Sequence, residues 1–534
     1  MAQMCVRRGA ARGRKGWVAG AVAGACLALL AGVAEARTLR FASQGDIATL
    51  DPYAHTESFT SNILHHIYEP LVRRSKSLEI EPALATAWRQ VAPDRWRFEL
   101  RRGVQFHNGN AFTADDVVAS MQRLMDPAAR ARGNVSQVTA VEKVDDFTVE
   151  FVTRGPYPLL LNDLTGVFIM DREWMAANNA LQPGNISTRT TTYASTNANG
   201  TGPFRFESWR PDQALTMTVN PSWWDRAEHN LTRIEFRPIR SDATRVAALL
   251  SGELDLIVPA PLQDLERIAS ASGYKVIEEP SLRLIFLGFS FRPELHAAPG
   301  VRNPLLDPRV RRALWMAIDL DTLHRRVMRG KSRTVGTLVA PQIPGYAREL
   351  DQPLRFDPQG AQRLLQEAGA TGFKVRLNCS NDRYIADEQT CVAIAGMWSR
   401  IGVGVEVQVE SRTTYFPRMD RGELDIYMLG WATLPPMDAF SVLSALLATR
   451  GQGLGGNNPN GLSDPRLDAL TAQAAVEMDE PKRRALMTEA LKIVRDDVLY
   501  LPLHQQPVAF AARAPVEVIN HADEFVRLWF AKVN

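Results

Sequence analysis

Three times along the chain an aspartate stands directly before a proline at the head of an apolar-striped stretch: Asp307-Pro308, Asp357-Pro358 and Asp464-Pro465. Each pair predicts a helix start. The carboxylate serves as N-cap and the proline takes the first helical position, where its fixed φ fits and its missing N–H removes no bond. The second of these helices carries Ala361, Leu364, Leu365 and Ala368 on one face and stops at Gly369. A fourth opens at Thr113, with Asp116 three residues on as a variant capping box. Between the helices lie short alternating runs: Arg95 to Leu100, Phe147 to Val152, Ala214 to Val219, Arg233 to Phe236 and Gly404 to Val409. That period belongs to half-buried strands. Strands interleaved with helices predict a mixed α/β architecture.

The chain has 534 residues, 45% hydrophobic and 23% charged, with 35 Gly and 32 Pro, which excludes collagen-like, disordered and membrane-embedded classes. At about 100–200 residues per domain, the length predicts two to four lobes. One internal echo points to two similar units: Gly252-Glu253-Leu254-Asp255-Leu256 returns as Gly422-Glu423-Leu424-Asp425-Ile426, each time between a helix-like and a strand-like run. No low-complexity linker separates them, so the lobes are expected to be joined by short strand crossovers.

The formal charge of +3 traces to the first 36 residues, with five basic groups and one acid; the remainder holds 57 basic against 58 acidic residues. A body so close to neutral gives no reason to expect nucleic acid or an anionic membrane as partner. Those 36 residues read as a secretory signal: a basic start, an apolar stretch from Trp17 to Val33, then Ala34-Glu35-Ala36 as cleavage site. A free periplasmic protein is expected. Cys5 and Cys26 would leave with the signal. Cys379 and Cys391 then form an even pair in an oxidising compartment, open to a disulfide or to two inert buried thiols.

Motifs for bond-breaking chemistry are scarce. Gly451-Gln452-Gly453-Leu454-Gly455-Gly456 satisfies G-x-G-x-x-G, but no helix follows it, so it reads as a loop. The chain contains no G-x-S-x-G elbow and no H-E-x-x-H. His55, His65 and His66 are the best metal candidates, although no cysteine or well-spaced carboxylate accompanies them; no metal site and no cofactor are expected. Trp431 follows a strand-like run, Leu424 to Leu429, and precedes a proline-rich turn, a natural aromatic wall for a cleft.

Longer strings carry a resemblance. They are Ile67-Tyr68-Glu69-Pro70-Leu71, then Glu81 to Trp88, Trp96 to Gly109 and Phe112 to Val117. Gly200-Thr201-Gly202-Pro203-Phe204, Asn220-Pro221-Ser222-Trp223-Trp224 and Asp307 to Leu314 follow in order. In these the chain resembles the extracellular solute-binding proteins, family 5, of ABC importers, over essentially the whole sequence after the signal.

The resemblance implies a two-lobed α/β periplasmic binding protein (class II, cluster C type): residues 37–283 as lobe I with an extra subdomain at about 76–205, 284–505 as lobe II, and 506–534 returning to lobe I. It implies a small-molecule or peptide ligand enclosed by lobe closure, delivery to ABC permease subunits in the inner membrane, no catalysis and a monomer. The matching positions nominate Thr56, Glu57, Ser58 and Phe59 beside the ligand, Arg383 toward a ligand carboxylate, and Arg283, Trp431, Asp438, Phe286 and Tyr53 around the cleft. Peptide binders of the family place an Asp three residues after the tryptophan of Gly-Trp, to pair with the ligand's α-ammonium. Here that position is Leu434, with Asp438 as the later acid of the turn. The first reading is thus a peptide-like or opine-like solute with an acidic group. A nickel-chelate or haem binder would need His55, His65 or His66 in the cleft, and a secreted hydrolase would need a nucleophile and base that no motif supplies.

Overall fold

The computed structural model describes residues 37–381, 383–434, 436–451 and 454–534, with the backbone alone at Thr413. The predicted export segment, residues 1–36, and Gln452-Gly453 of the glycine-rich loop lie outside the described residues.

Each aspartate-proline pair opens a helix. Asp307, Asp357 and Asp464 accept bonds from the backbone N–H groups of Arg309, Gly360 and Arg466, at the heads of helices Pro308–Met316, Pro358–Glu367 and Pro465–Val476. Thr113 and Asp116 form the capping box of helix Ala114–Met125. The alternating runs are strands Arg95–Leu100, Thr148–Thr153, Ala214–Val219, Arg233–Pro238 and Gly404–Glu410.

Among the described residues eleven strands form one mixed sheet. Its path runs Gly404–Glu410, Lys374–Ser380, Ile426–Ala432, Tyr274–Phe289, Tyr500–Arg513, Leu256–Ile257, Thr38–Ser43, Arg233–Pro238, Ala214–Val219 and Phe204–Arg210. Arg333–Thr334 pairs with Tyr500–Arg513 off that path. A separate four-stranded antiparallel sheet, Ala85–Ala92, Arg95–Leu100, Thr148–Thr153 and Val138–Asp145, packs beside helix Ala114–Met125.

The two longest strands, Tyr274–Phe289 and Tyr500–Arg513, run antiparallel through the middle of the large sheet. Their ladder is continuous from Tyr274 opposite Arg513 to Pro280 opposite Pro507, then shifts register before Leu284 meets Gln505. Proline has no N–H to give a ladder, so two facing prolines interrupt it where they stand. Side-chain bonds bridge the gap: Ser281 Oγ donates to the Gln506 carbonyl at 2.9 Å and Gln505 Nε2 to the Ser281 carbonyl at 2.7 Å. The buried cores change at the same place. Val508 and Phe510 pack with residues from the first half of the chain, whereas Leu282, Leu284, Leu501 and Leu503 pack with residues of the second.

The echoed pentapeptides occupy equivalent places. Gly252 and Gly422 have φ of +79° and +70°, a left-handed turn that glycine enters without Cβ strain. Leu254 and Leu424 are fully buried, and Asp255 and Asp425 accept backbone N–H bonds. Each copy leads from a helix, Asp242–Leu250 or Arg412–Asp420, into a strand parallel to an earlier one. Cys379 and Cys391, on strand Lys374–Ser380 and helix Asp387–Arg400, are joined by a disulfide with Cα atoms 6.6 Å apart.

Gly200 and Gly202 lie flat against the backbone after helix Ser58–Leu64. A Cβ at Gly200 would stand 2.1 Å from the Ile67 carbonyl oxygen, and one at Gly202 would stand 2.7 Å from that of His66. Backbone cannot yield as a flexible side chain would. Gly200→Ala is therefore expected to lower stability by about 1–3 kcal/mol, read by urea denaturation; an unchanged midpoint would show that the loop gives way freely.

Candidate functional site

Beside the interrupted ladder lies a cavity of about 220 Å³, walled by Pro52, His55, Thr56, Ser58 and Ser61, by Arg73 and Arg74, by Asp523, Phe525, Arg527 and Trp529 near the C-terminus, and by Leu434 and Met437 of the turn after strand Ile426–Ala432. It is small, below the roughly 300–1,000 Å³ of pockets for drug-sized ligands. Leu434 and Met437 pack with the core of the second half of the chain, and the other walls belong to the first half and the C-terminal segment. Two bonds cross above it: Arg74 Nη2 donates to the Pro436 carbonyl at 3.2 Å, and Asn162 Nδ2 donates to the same oxygen.

Buried bidentate ion pairs hold the walls. Asp51, just before Pro52, is gripped by Arg123 Nη1 and Nη2 at 2.7 and 2.6 Å and also accepts from the Tyr53 and Gly184 N–H groups. Asp523 is gripped by Arg527 at 3.0 and 2.6 Å and caps Phe525 N–H. Asp438 is gripped by both terminal nitrogens of Arg483 at 2.8 Å.

The nominated residues divide. Thr56 and Ser58 line the cavity. Glu57 stands at the N-cap of helix Ser58–Leu64 and donates its backbone N–H to His55 Nδ1, while Phe59 is half-buried with its ring centroid 5.6 Å from that of Phe236. Arg283 sits at the register shift of the long strand, with Glu524 as its nearest carboxylate at 3.7 Å. Arg383 is exposed and lies over the Tyr384 ring, 5.1 Å from the centroid. Among the described residues no carboxylate pairs with Arg383. Trp431 lies within strand Ile426–Ala432 rather than after it, and its indole N–H points to Ser441 Oγ at 3.3 Å. Asp438 does not line the cavity; Arg483 holds it.

Two cleft candidates are corrected. Phe286 is fully buried and packs edge-on against Tyr500, and Tyr53 is buried with its hydroxyl donating to the Phe168 carbonyl. Both belong to the cores, because the strand and loop carrying them turn those side chains inward. Among the histidines, His55 and His65 line the cavity, while His66 is buried between the Ile63 carbonyl and the Leu528 N–H. Burial pushes His55 and His65 each down to about 4, so both are neutral near pH 7. His55 Nδ1 accepts from Glu57, which places its proton on Nε2, and both nitrogens of His65 face carbonyl oxygens. The lone pair of His55 is taken by the Glu57 N–H, and the one left on neutral His65 stands against a carbonyl oxygen. Among the described residues no group of three or more His, Cys, Asp or Glu is placed to hold a metal ion.

Sequence reasoning missed Arg74, Phe525 and Trp529. Arg74 stands hundreds of residues from the other two, no local motif marks any of them, and only chain return brings them together.

The model for bacterial extracellular solute-binding proteins, family 5, matches residues 79–453. The chain belongs to that family. Among curated relatives, heme-binding protein A of Haemophilus influenzae is 28% identical over 84% of this chain and 83% of its own length. The dipeptide-binding protein of Escherichia coli is 25% identical over 90% and 92%. Among solved structures, the ABC transporter substrate-binding protein CtaP of Listeria monocytogenes superposes with a TM-score of 0.81 at 19% identity, covering 93% of this chain and 99% of that one. The fold is thus that of the two-lobed periplasmic binding proteins, with α/β lobes sharing the long central strands.

Two outcomes follow. Removing one partner of a buried ion pair costs about 3–5 kcal/mol, so Asp438→Asn is expected to destabilise the protein by that order in denaturation; a loss of ligand affinity with unchanged stability would give Asp438 to the ligand instead. Asp163, next to the Asn162 contact, is pushed up to about 7 by desolvation and by Asp438, against the bond from Tyr157 and the charge of Arg74. A carboxyl with a raised native pKa contributes stability below about pH 4, its unfolded range, that is lost as pH rises through 7. Asp163→Asn should flatten that decline in denaturation midpoints measured from pH 4 to 8; an unaltered slope would refute it.

Proposed function

We propose that this family 5 protein works in the periplasm as the solute-capturing part of an ABC importer, and that it takes a small organic solute with an acidic group. Residues 37–283 and 506–534 act as one lobe and 284–505 as the other. The facing Pro280 and Pro507 serve as the flexible point of the strand pair that joins them. Closure over the cavity shifts an open-closed equilibrium using ligand binding energy, and the closed form is what the membrane permease receives. The solute leaves chemically intact, and the protein acts as a monomer.

The observation that carries this reading is the convergence of Arg74 and Asn162 from one side on the Pro436 carbonyl of the other, roofing a cavity whose walls come from both cores. The acidic group follows from Arg283 and Arg383. Glu524, 3.7 Å from Arg283, is the only carboxylate in an ion pair with either among the described residues. A ligand carboxylate would pair with these two cations through charge-assisted bonds. Relatives named for haem and for dipeptides represent two ligand classes in this family; Leu434 at the place of the α-ammonium partner argues against the dipeptide, and the engaged rings of His55 and His65 against haem.

The test is to purify the protein from its native host, denature it and identify the released molecule by mass spectrometry, then measure solution scattering with and without it. Compaction on adding an acidic solute is expected, as is a 10–100-fold weaker affinity in Arg383→Ala, the worth of a charged hydrogen bond at about 1.5–3 kcal/mol. A shape unmoved by every released solute would refute the reading.

A further inference from the structure

Three residues lining the cavity carry a buried N–H that meets no acceptor among the described residues. They are His55 at Nε2, Arg74 at Nε and Trp529 at Nε1. His55 and Trp529 are 1% and 6% exposed. The Glu57 N–H, 3.1 Å from His55 Nδ1, leaves Nε2 as the protonated nitrogen, so all three atoms are donors. The terminal nitrogens of Arg74 reach only neutral carbonyls, of Leu78 and Pro436, both at 3.2 Å. An unsatisfied buried donor costs about 1–3 kcal/mol, and the cavity is the space these three residues share.

The charged acceptor of the wall is already committed. Asp523 is its one carboxylate, and both oxygens are held by Arg527 and Phe525 N–H. The Pro436 carbonyl takes Arg74 and Asn162, and neutral His65 has one proton to give to either the Ser61 or the Thr165 carbonyl. Three guanidinium groups, Arg73, Arg74 and Arg527, stand against that single carboxylate. Arg73 is paired outside the cavity with Glu81 and Asp225, which leaves Arg74 as the cation without an acidic partner bonded to it. An ammonium placed here would find no uncommitted carboxylate, only neutral oxygens such as those of Thr56, Ser58 and Asn134, beside an excess of guanidinium charge.

From this complement of donors we infer that the solute presents an acceptor-only, oxygen-rich anionic end to His55, Arg74 and Trp529, and that the site selects compact hydroxy- or polycarboxylates against molecules with a free α-ammonium group. The inference rests on the reading of this cavity as the solute site. A volume of about 220 Å³ suits a molecule of that size, and the Phe525 ring and Leu434 supply apolar wall for its short carbon skeleton.

The experiment uses protein from the periplasmic fraction of cells expressing the full chain, stripped of bound solute by reversible denaturation. Malate, tartrate, citrate and galactarate are compared with Ala-Ala and N-acetyl-Ala by calorimetric titration. At least one of the four acids is expected to bind 100-fold tighter than Ala-Ala. Trp529→Phe, which keeps the ring and deletes the N–H, and Arg74→Gln should each weaken that acid at least 5-fold, with little change in denaturation midpoint. Binding of Ala-Ala as tight as the best acid, failure of all four acids to bind, or unchanged affinity in both variants would overturn the inference. Solution scattering separates the two readings: compaction with Ala-Ala retains solute capture and rejects the acceptor-only site, whereas no compaction with any compound also removes the basis for capture.

Discussion

The antiparallel ladder between Tyr274–Phe289 and Tyr500–Arg513 is the constraint on which the rest of the molecule hangs. It is the place where the sheet passes from one core to the other, and its register shifts twice, after Pro280 opposite Pro507 and again between Ile285 and Phe286. A ladder lacking N–H donors at two facing positions is locally weak, yet Ser281, Gln505 and Gln506 re-tie it with side-chain bonds. In the proposed reading, such a joint keeps the two halves in register while leaving a few backbone angles free to absorb rotation. Arg283 follows it immediately, and the C-terminal segment that supplies Asp523, Phe525 and Trp529 leaves from the partner strand. The cavity is therefore a by-product of the joint's position.

Electrostatics then gives the cavity its sign. Asp51, Asp438 and Asp523 are each buried, and each is gripped by an arginine through two nitrogens. Such pairs return little net stability once desolvation is counted, but breaking one strands a charge. Their effect here is to fix three loops in place and to withdraw carboxylates from ligand contact. What remains facing the cavity is donor-rich and positive, a property no single residue carries.

Much of this architecture was legible in the chain. The aspartate-proline starts, the capping box at Thr113 and the alternating strands rest on bonds made within a few residues, so local sequence suffices to specify them. The repeated Gly-Glu-Leu-Asp segment was legible for the same reason: a left-handed glycine, a buried leucine and an aspartate binding backbone N–H groups are local needs of one helix-to-strand turn. One family string, Gly200 to Phe204, was legible because Gly200 and Gly202 press on another backbone, where a Cβ would collide. Less was legible at the site. Phe286 and Tyr53 look like cleft aromatics in a string of letters, and only strand register turned them into the cores. Asp438 looks available until Arg483, 45 residues away, is seen to hold both of its oxygens.

By itself the sequence determined the α/β elements, their caps and the family to which they belong, because these depend on hydrogen bonds and packing periods closed within one element. The tertiary structure alone decided which charges are neutralised and which donors face empty space. Burial and pairing are properties of neighbours in three dimensions, and the neighbours of Arg74, His55 and Trp529 come from segments that chain order keeps far apart.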